Sequence, residues 1–219
     1  MVSIVGYTNA GKSTLLNTIS DADVLVEDKL FATLDPTTRR VTLPEGREAL
    51  FTDTVGFIQK LPTTLVAAFR ATLEEVTEAD LLLHVVDITH PNALEQSQAV
   101  EETLAQIEAT DKPVVLALNK IDQLGNPSLI QGLVAEFPNS LAISAMERLG
   151  LTELLGRVET VLNQDLVYVT VCIPYHESSL VSLFHRQGTV DREEHGKEGT
   201  VLAGRLPARY LEAFRRYLV

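Results

Sequence analysis

A phosphate-binding loop is the first chemistry that the residues indicate. The segment Gly6-Tyr7-Thr8-Asn9-Ala10-Gly11-Lys12-Ser13 has the spacing of two glycines, a lysine and a hydroxyl that is typical of such loops. Its backbone N–H groups can surround phosphate oxygens, and the positive end of a following helix adds to the attraction. Lys12 is predicted to reach the outer phosphates, and the Ser13 hydroxyl to bind Mg²⁺. The residues placed around the phosphates are Gly6, Tyr7, Thr8, Asn9, Ala10, Gly11, Lys12, Ser13 and Thr14.

A second segment supplies a carboxylate for the same metal ion. Asp53-Thr54-Val55-Gly56 closes an apolar stretch, at the place where a magnesium-directed aspartate belongs in such sites. Asp53 alone is a weak signal. Together with Lys12 and Ser13 it argues against a glycine-rich turn that only reverses the chain. Thr54, Val55 and Gly56 are therefore counted with Asp53 as nucleotide-binding residues.

A third segment is suited to a purine base. Asn119-Lys120-Ile121-Asp122 follows an apolar run, so it is expected at the carboxyl edge of a sheet, where ligands bind in such folds. Guanine presents two adjacent donors that one carboxylate can accept, and adenine has no such pair, so Asp122 favours guanine. Lys120 is predicted to lie along the base, and Asn119 to brace the phosphate loop. Ser144-Ala145-Met146 is expected at a neighbouring edge, with its backbone near the guanine carbonyl.

These segments need a parallel sheet to bring them together. Short β-branched runs alternate with longer amphipathic stretches over residues 1–165, which predicts an α/β fold of the P-loop NTPase type, a mostly parallel sheet flanked by helices. One antiparallel hairpin forms the edge. Strands are predicted at 2–5, 40–43, 49–52, 81–87, 113–118 and 140–143. Helices are predicted at 12–19, 64–77, 92–109, after Pro127, and at 150–162.

The pattern changes after residue 165. A strand is predicted at 166–173, a helix at 178–185 and a hairpin from 188–194 and 199–206, with Pro207 as the first residue of a last helix. We therefore predict a nucleotide domain at 1–165 and a small C-terminal α+β domain at 166–219.

Composition limits the partners and the compartment. Lys and Arg number 11 against 24 Asp and Glu in residues 1–165, and 7 against 6 in 166–219. The acidic main body excludes nucleic acid held by a general electrostatic field. No apolar run approaches the roughly 20 residues of a membrane span, no secretory signal is visible, and Cys172 is the sole cysteine. A cytoplasmic protein without membrane insertion is expected, and a monomer.

The motifs together resemble those of the translation-factor-related GTPases. Residues 6–15, 30–37 and 53–58 narrow the resemblance to the HflX family over 1–165, and residues 166–219 are similar to that family's C-terminal domain. The resemblance implies a Mg²⁺-dependent GTPase that binds GTP and GDP and acts on the large ribosomal subunit, splitting stalled or idle ribosomes under stress. Family members usually carry a further N-terminal domain, so this sequence is expected to be either a fragment or a natural short form.

A mobile threonine is needed to complete the magnesium shell and sense the γ-phosphate. Thr33, Thr37 and Thr38 are candidates, and the resemblance points to Thr33. The catalytic residues are then Lys12, Thr33 and Gly56, and the metal ligands are Ser13, Thr33 and Asp53. The resemblance also places Phe31, Ala32, Thr33, Leu34 and Asp35 at the nucleotide.

Two positions bear on the rate of hydrolysis. Many GTPases place a water-orienting glutamine after the glycine of Asp-x-x-Gly, but Phe57 stands here and can neither donate nor accept a hydrogen bond, so slow intrinsic hydrolysis is expected. Asn9 has two interpretations: it resembles the asparagine that helps hold K⁺ in potassium-stimulated GTPases, or it only tolerates a left-handed turn.

Two other functions stay open at this point. One is a nucleotide-gated binding adaptor with negligible turnover, which Phe57 and the absent N-terminal domain favour. The other is a GTPase of tRNA modification or ribosome assembly, since those proteins share the asparagine-containing loop. Residues 31–37 fit the HflX family better.

Overall fold

The computed structural model describes residues 1–21, 37–57, 75–164 and 166–219. Within it the chain divides into two compact units, Met1–Val161 and Leu162–Val219. Most of the helix predicted at 64–77, and the residues from Phe31 to Asp35 that include Thr33, lie outside the described residues. Within the described part of the chain, none of the helices is long and apolar enough to cross a bilayer.

The first unit contains a six-stranded sheet with helices packed against it. Its strands are β1 (Val2–Gly6), β2 (Thr37–Thr42), β3 (Glu48–Asp53), β4 (Leu81–Asp87), β5 (Val114–Asn119) and β6 (Ser140–Ala142). The described helices are α1 (Lys12–Ile19), α2 (Ala93–Gln106), α3 (Pro127–Glu136) and α4 (Leu151–Gln164), with a 3₁₀ turn at Ile121–Leu124.

The strand order is β2-β3-β1-β4-β5-β6, with only β2 antiparallel to its neighbour. β4 lies near the centre, and six of its seven residues are buried, which explains its continuous apolar run. In register, Gly6 lies opposite Val85, and Asp87 lies opposite Asn119. The carboxyl ends of β1, β4 and β5 therefore meet at one edge. The predicted fold class is confirmed.

The second unit is an antiparallel sheet with helices packed on one face. It consists of β7 (Leu166–Ile173), β8 (Thr189–His195), β9 (Thr200–Pro207), α5 (Ser178–Gln187) and α6 (Leu211–Phe214), with strand order β7-β9-β8. Phe184 of α5 and Phe214 of α6 meet edge to face at 5.5 Å in its core. The prediction for Pro207 was wrong: it ends β9, because it pairs with Leu166 across the sheet, and the chain becomes helical only after it.

His84 is a buried histidine in the middle of β4, between Val5 and Leu116 of the adjacent strands. It belongs to the core, since only 2% of the residue is exposed. Its Nε2 atom is buried and has no hydrogen-bond partner among the residues that the structure describes. Burial lowers the pKa of His84 to about 4, and the charge of Lys12 acts in the same direction.

This histidine predicts a loss of stability in acid. The unfolded chain protonates His84 below its ordinary pKa of 6.5, whereas the folded chain stays neutral there until about pH 4. The free energy of unfolding from this group is therefore expected to fall by about 2 kcal/mol between pH 7 and pH 5. Urea unfolding of wild type, His84→Leu and the exposed-site control His176→Gln measures it. The drop should be smaller only in His84→Leu, and an equal drop in all three would contradict the assignment.

Candidate functional site

The loop between β1 and α1 is shaped by left-handed backbone. Asn9 has φ 62° and Gly11 has φ 94°. A side chain at Gly11 would collide with Nδ2 of Asn119, and one at Gly6 would collide with the carbonyl oxygen of Val85. Glycine is therefore required at both positions for the loop to lie this close to the ends of β4 and β5.

Lys12 is the first residue of α1 and is buried, with only 7% of the residue exposed. Burial lowers the pKa of its ammonium, and the nearby Asp53 carboxylate partly opposes this. A Cβ on Gly56 would lie 3.2 Å from Lys12 Nζ and 2.8 Å from the Cα of Thr8. Gly56 thus allows the segment after β3 to pack against both the lysine and the loop.

Ser13 and Asp53 meet at the start of α1 and the end of β3. Ser13 Oγ donates a hydrogen bond to Asp53 Oδ2 at 2.5 Å, and Asp53 is 2% exposed. A hydroxyl and a carboxylate are the hard oxygen ligands that Mg²⁺ prefers. The two residues therefore fit the metal that the sequence predicted, with Thr33 outside the described residues.

Thr37 and Thr38, the other candidate threonines, lie in β2. Thr38 Oγ1 shares a hydrogen bond of 2.9 Å with Thr52 Oγ1 of β3, and Thr37 pairs with Asp53 in the strand register. Thr38 is thus engaged on the sheet in this structure.

The segment after Asp53 is fastened to β1 and to the phosphate loop. Thr54 Oγ1 donates to the carbonyl of Ile4 at 2.7 Å. The N–H of Phe57 donates to Gly6 O at 3.0 Å, and the N–H of Thr8 donates to Phe57 O at 2.9 Å. The side chain of Phe57 is buried in the hydrophobic core, as is that of Val55. The position after Gly56 therefore points into the protein interior, which the motif alone did not indicate.

Asn119 links three segments of the site. Its Nδ2 donates to Ala10 O at 2.9 Å, and its Oδ1 accepts from the N–H of Ala145 at 2.9 Å. The predicted brace on the phosphate loop is present. Sequence reasoning missed a second contact of Ala145. Thr18 Oγ1 on α1 donates a hydrogen bond to the carbonyl oxygen of Ala145 at 2.9 Å. No motif marks Thr18, because this contact depends on how the helix packs.

The remaining base-site residues lie at the same edge. Asp122 is exposed in the 3₁₀ turn, next to Ile121. Lys120 Nζ lies 2.7 Å from Asp87 Oδ2, a partner that the sequence did not predict. Ser144 is buried and its Oγ accepts from the N–H of Glu147, whereas Met146 is 73% exposed. Contact of the Ser144–Met146 backbone with a guanine carbonyl stays a prediction.

The arrangement brings a buried cation, two hard oxygen ligands and an exposed carboxylate to one edge of a parallel sheet. Residues 1–120 match a family model described as a 50S ribosome-binding GTPase, and residues 130–218 match that of the HflX C-terminal domain. The chain belongs to the HflX family of GTPases. The resemblance to the HflX family is thereby confirmed.

Similar HflX proteins cover the chain almost completely. GTPase HflX of Caldanaerobacter subterraneus is 42% identical over 100% of this chain and 50% of its own length. GTPase HflX of Escherichia coli is 41% identical over 94% of this chain and 49% of its own length. The chain spans about half the length of the curated HflX relatives that it matches.

Solved structures match the fold. A GTP-binding protein from Sulfolobus solfataricus in complex with GDP has a TM-score of 0.61 at 30% identity, covering 74% of this chain and 52% of its own. Era in complex with MgGDPNP and nucleotides 1506–1542 of 16S ribosomal RNA has a TM-score of 0.58 at 29% identity, covering 74% and 55%. These structures share the α/β architecture of this chain.

Proposed function

We propose that the protein binds GTP with Mg²⁺ and hydrolyses it to GDP and phosphate. The proposal is carried by one observation: buried Lys12, the Ser13–Asp53 pair and the Asn119 brace converge around a single loop. The named GTPases among its relatives support it. We place this activity in residues 1–165, with 166–219 as a separate C-terminal domain.

In the proposed reaction, water attacks the γ-phosphate without a covalent intermediate. Lys12 and the backbone N–H groups of the loop stabilise the negative charge that spreads over the phosphate oxygens. Ser13, Asp53 and Thr33 would hold Mg²⁺, which supplies further charge neutralisation when bound. Gly56 lets the Asp-x-x-Gly segment approach the lysine. Asp122 accepts the two guanine donors, which selects guanine over adenine.

Hydrolysis by the protein alone is expected to be slow. The side chain of Phe57 is turned into the core, so residue 57 does not orient water. A partner, a group from residues 22–36 or a monovalent cation has to supply this function.

A monovalent cation is the simplest of these to test. The left-handed φ of Asn9 fits the turn interpretation. The potassium interpretation stays open, because the Asn9 side chain is exposed and so accessible to a cation. If Asn9 helps to bind K⁺, hydrolysis in K⁺ is expected to exceed that in Na⁺ at equal ionic strength, and Asn9→Gly is expected to remove the difference. Phosphate release is the measurement. Equal rates in the two salts would reject the potassium interpretation.

We further propose that the protein works in the cytoplasm on the large ribosomal subunit. The description of the matching family, a 50S ribosome-binding GTPase, supports this. Multiple-turnover phosphate release is measured with purified large subunits, with small subunits as the control. Release stimulated only by large subunits is the expected result. No release in any condition, despite GTP binding, would favour a nucleotide-gated adaptor.

A further inference from the structure

Lys120 and Asp87 form a partly sheltered ion pair at the edge of the sheet. Lys120 Nζ donates to Asp87 Oδ2 at 2.7 Å, and the side chains are 28% and 14% exposed. A pair this short and this protected from solvent orients its partners more strongly than a fully exposed one does.

The carboxylate of Asp87 is itself held in place. Its Oδ1 accepts hydrogen bonds from the N–H of Thr89 at 3.0 Å and from Thr89 Oγ1 at 2.6 Å. Asp87 pairs with Asn119 in the register of β4 and β5, and the N–H of Ile88 donates to Asn119 O at 3.1 Å. The turn after β4 therefore leaves Oδ2 directed at Lys120.

Lys120 is consequently fixed at both ends. Its backbone has a left-handed φ of 72° and follows Asn119, whose side chain makes two hydrogen bonds of 2.9 Å. Its ammonium is held by Asp87. The four methylene groups between these points are apolar and span from the end of β5 to the end of β4. An aliphatic stem of this kind can cover the face of a planar ring.

We propose that Asp87 is a positioning residue for the nucleotide base, which it serves by holding the stem of Lys120 against the purine ring. This inference rests on the proposed nucleotide binding. In this proposal Asp87 acts through Lys120 and makes no contact of its own with the phosphates or the reacting water, so its effect is expected on affinity and not on the chemical step. The competing interpretation is structural: Asp87 only caps the turn through Thr89.

The test begins with Asp87→Asn, which keeps the size of the side chain and an acceptor for Thr89. GDP and GTP affinities are expected to fall equally, by about three- to ten-fold, with KM raised to match and kcat unchanged. Titration calorimetry and steady-state kinetics measure these values. Asp111→Asn, which removes the exposed carboxylate of a surface pair with Lys112, is the matched control and should change nothing.

A double-mutant cycle separates positioning from structure. In a Lys120→Met background, Asp87→Asn is expected to have no further effect on GDP affinity, because the ammonium through which Asp87 holds the stem is gone. A loss that persists in this background would show a structural role and overturn the proposal. Unchanged or tighter GDP binding by Asp87→Asn itself would overturn it too. If the wild type binds no guanine nucleotide, the proposed function fails instead.

Discussion

Replacing Lys12 by alanine is expected to lower the rate of GTP hydrolysis at least about a thousand-fold, which is the scale for losing a group that stabilises transition-state charge. Lys12 is the first residue of α1, and its ammonium is the cation beside Asp53 and Gly56. Phosphate release under saturating GTP, with Mg²⁺ present, is the measurement.

We do not expect the loss of activity in Lys12→Ala to result from unfolding. Burial lowers the pKa of Lys12, which means that the folded protein holds the charged ammonium at a cost. Lys12→Ala is therefore expected to unfold at the same urea concentration as the wild type or a higher one. The exposed lysine of the second unit provides the control variant, Lys197→Ala, which should keep full activity. A loss of turnover of only about ten-fold is the scale of an ordinary side-chain loss. If Lys12→Ala loses no more than that, Lys12 does not have the proposed role in the reaction.

Replacing Asp122 by alanine is expected to abolish the preference for guanine. The carboxylate accepts two charge-assisted hydrogen bonds in the proposed complex, so GDP affinity should fall by about a hundred-fold or more. ADP affinity should not change, because adenine offers no matching donors. Calorimetry with both nucleotides and Mg²⁺ gives the ratio directly.

The neighbour of Asp122 offers a close control. Gln123 is exposed in the same 3₁₀ turn, so Gln123→Ala tests for a general effect of altering this turn. It should bind GDP as the wild type does. If Asp122→Ala keeps its GDP affinity, or if the wild type binds ADP and GDP equally, the base site is misassigned.

Local sequence patterns predicted the sheet and its first helix. The structure gives α1, β4 and β7 the predicted bounds of 12–19, 81–87 and 166–173. β4 is an apolar run buried on both faces, and α1 follows a glycine turn, so in each case the local signal and the tertiary environment agree. Pro207 was misread because a proline also suits the end of a strand, and its pairing with Leu166 decided the outcome.

The sequence predicted site residues only where they belong to a motif. The spacing of Lys12, Ser13 and Asp53 predicted residues that the structure brings together. The Lys120–Asp87 pair and the contact of Thr18 with Ala145 were not predicted. Both depend on strand register and helix packing, which join residues far apart in the chain. Hydrophobic periodicity and motif spacing therefore do not predict such contacts.

The interior orientation of Phe57 has a consequence for anyone who wishes to build a faster, self-sufficient catalyst from this scaffold. A glutamine installed at that position would bury its amide among the aliphatic side chains that now surround the phenyl ring, at a cost of about 1–3 kcal/mol. It would also remain on the wrong side of the backbone, since residue 57 is tied to Gly6 and Thr8. Laboratory evolution of the rate would therefore have to begin elsewhere, with groups that approach the nucleotide from outside.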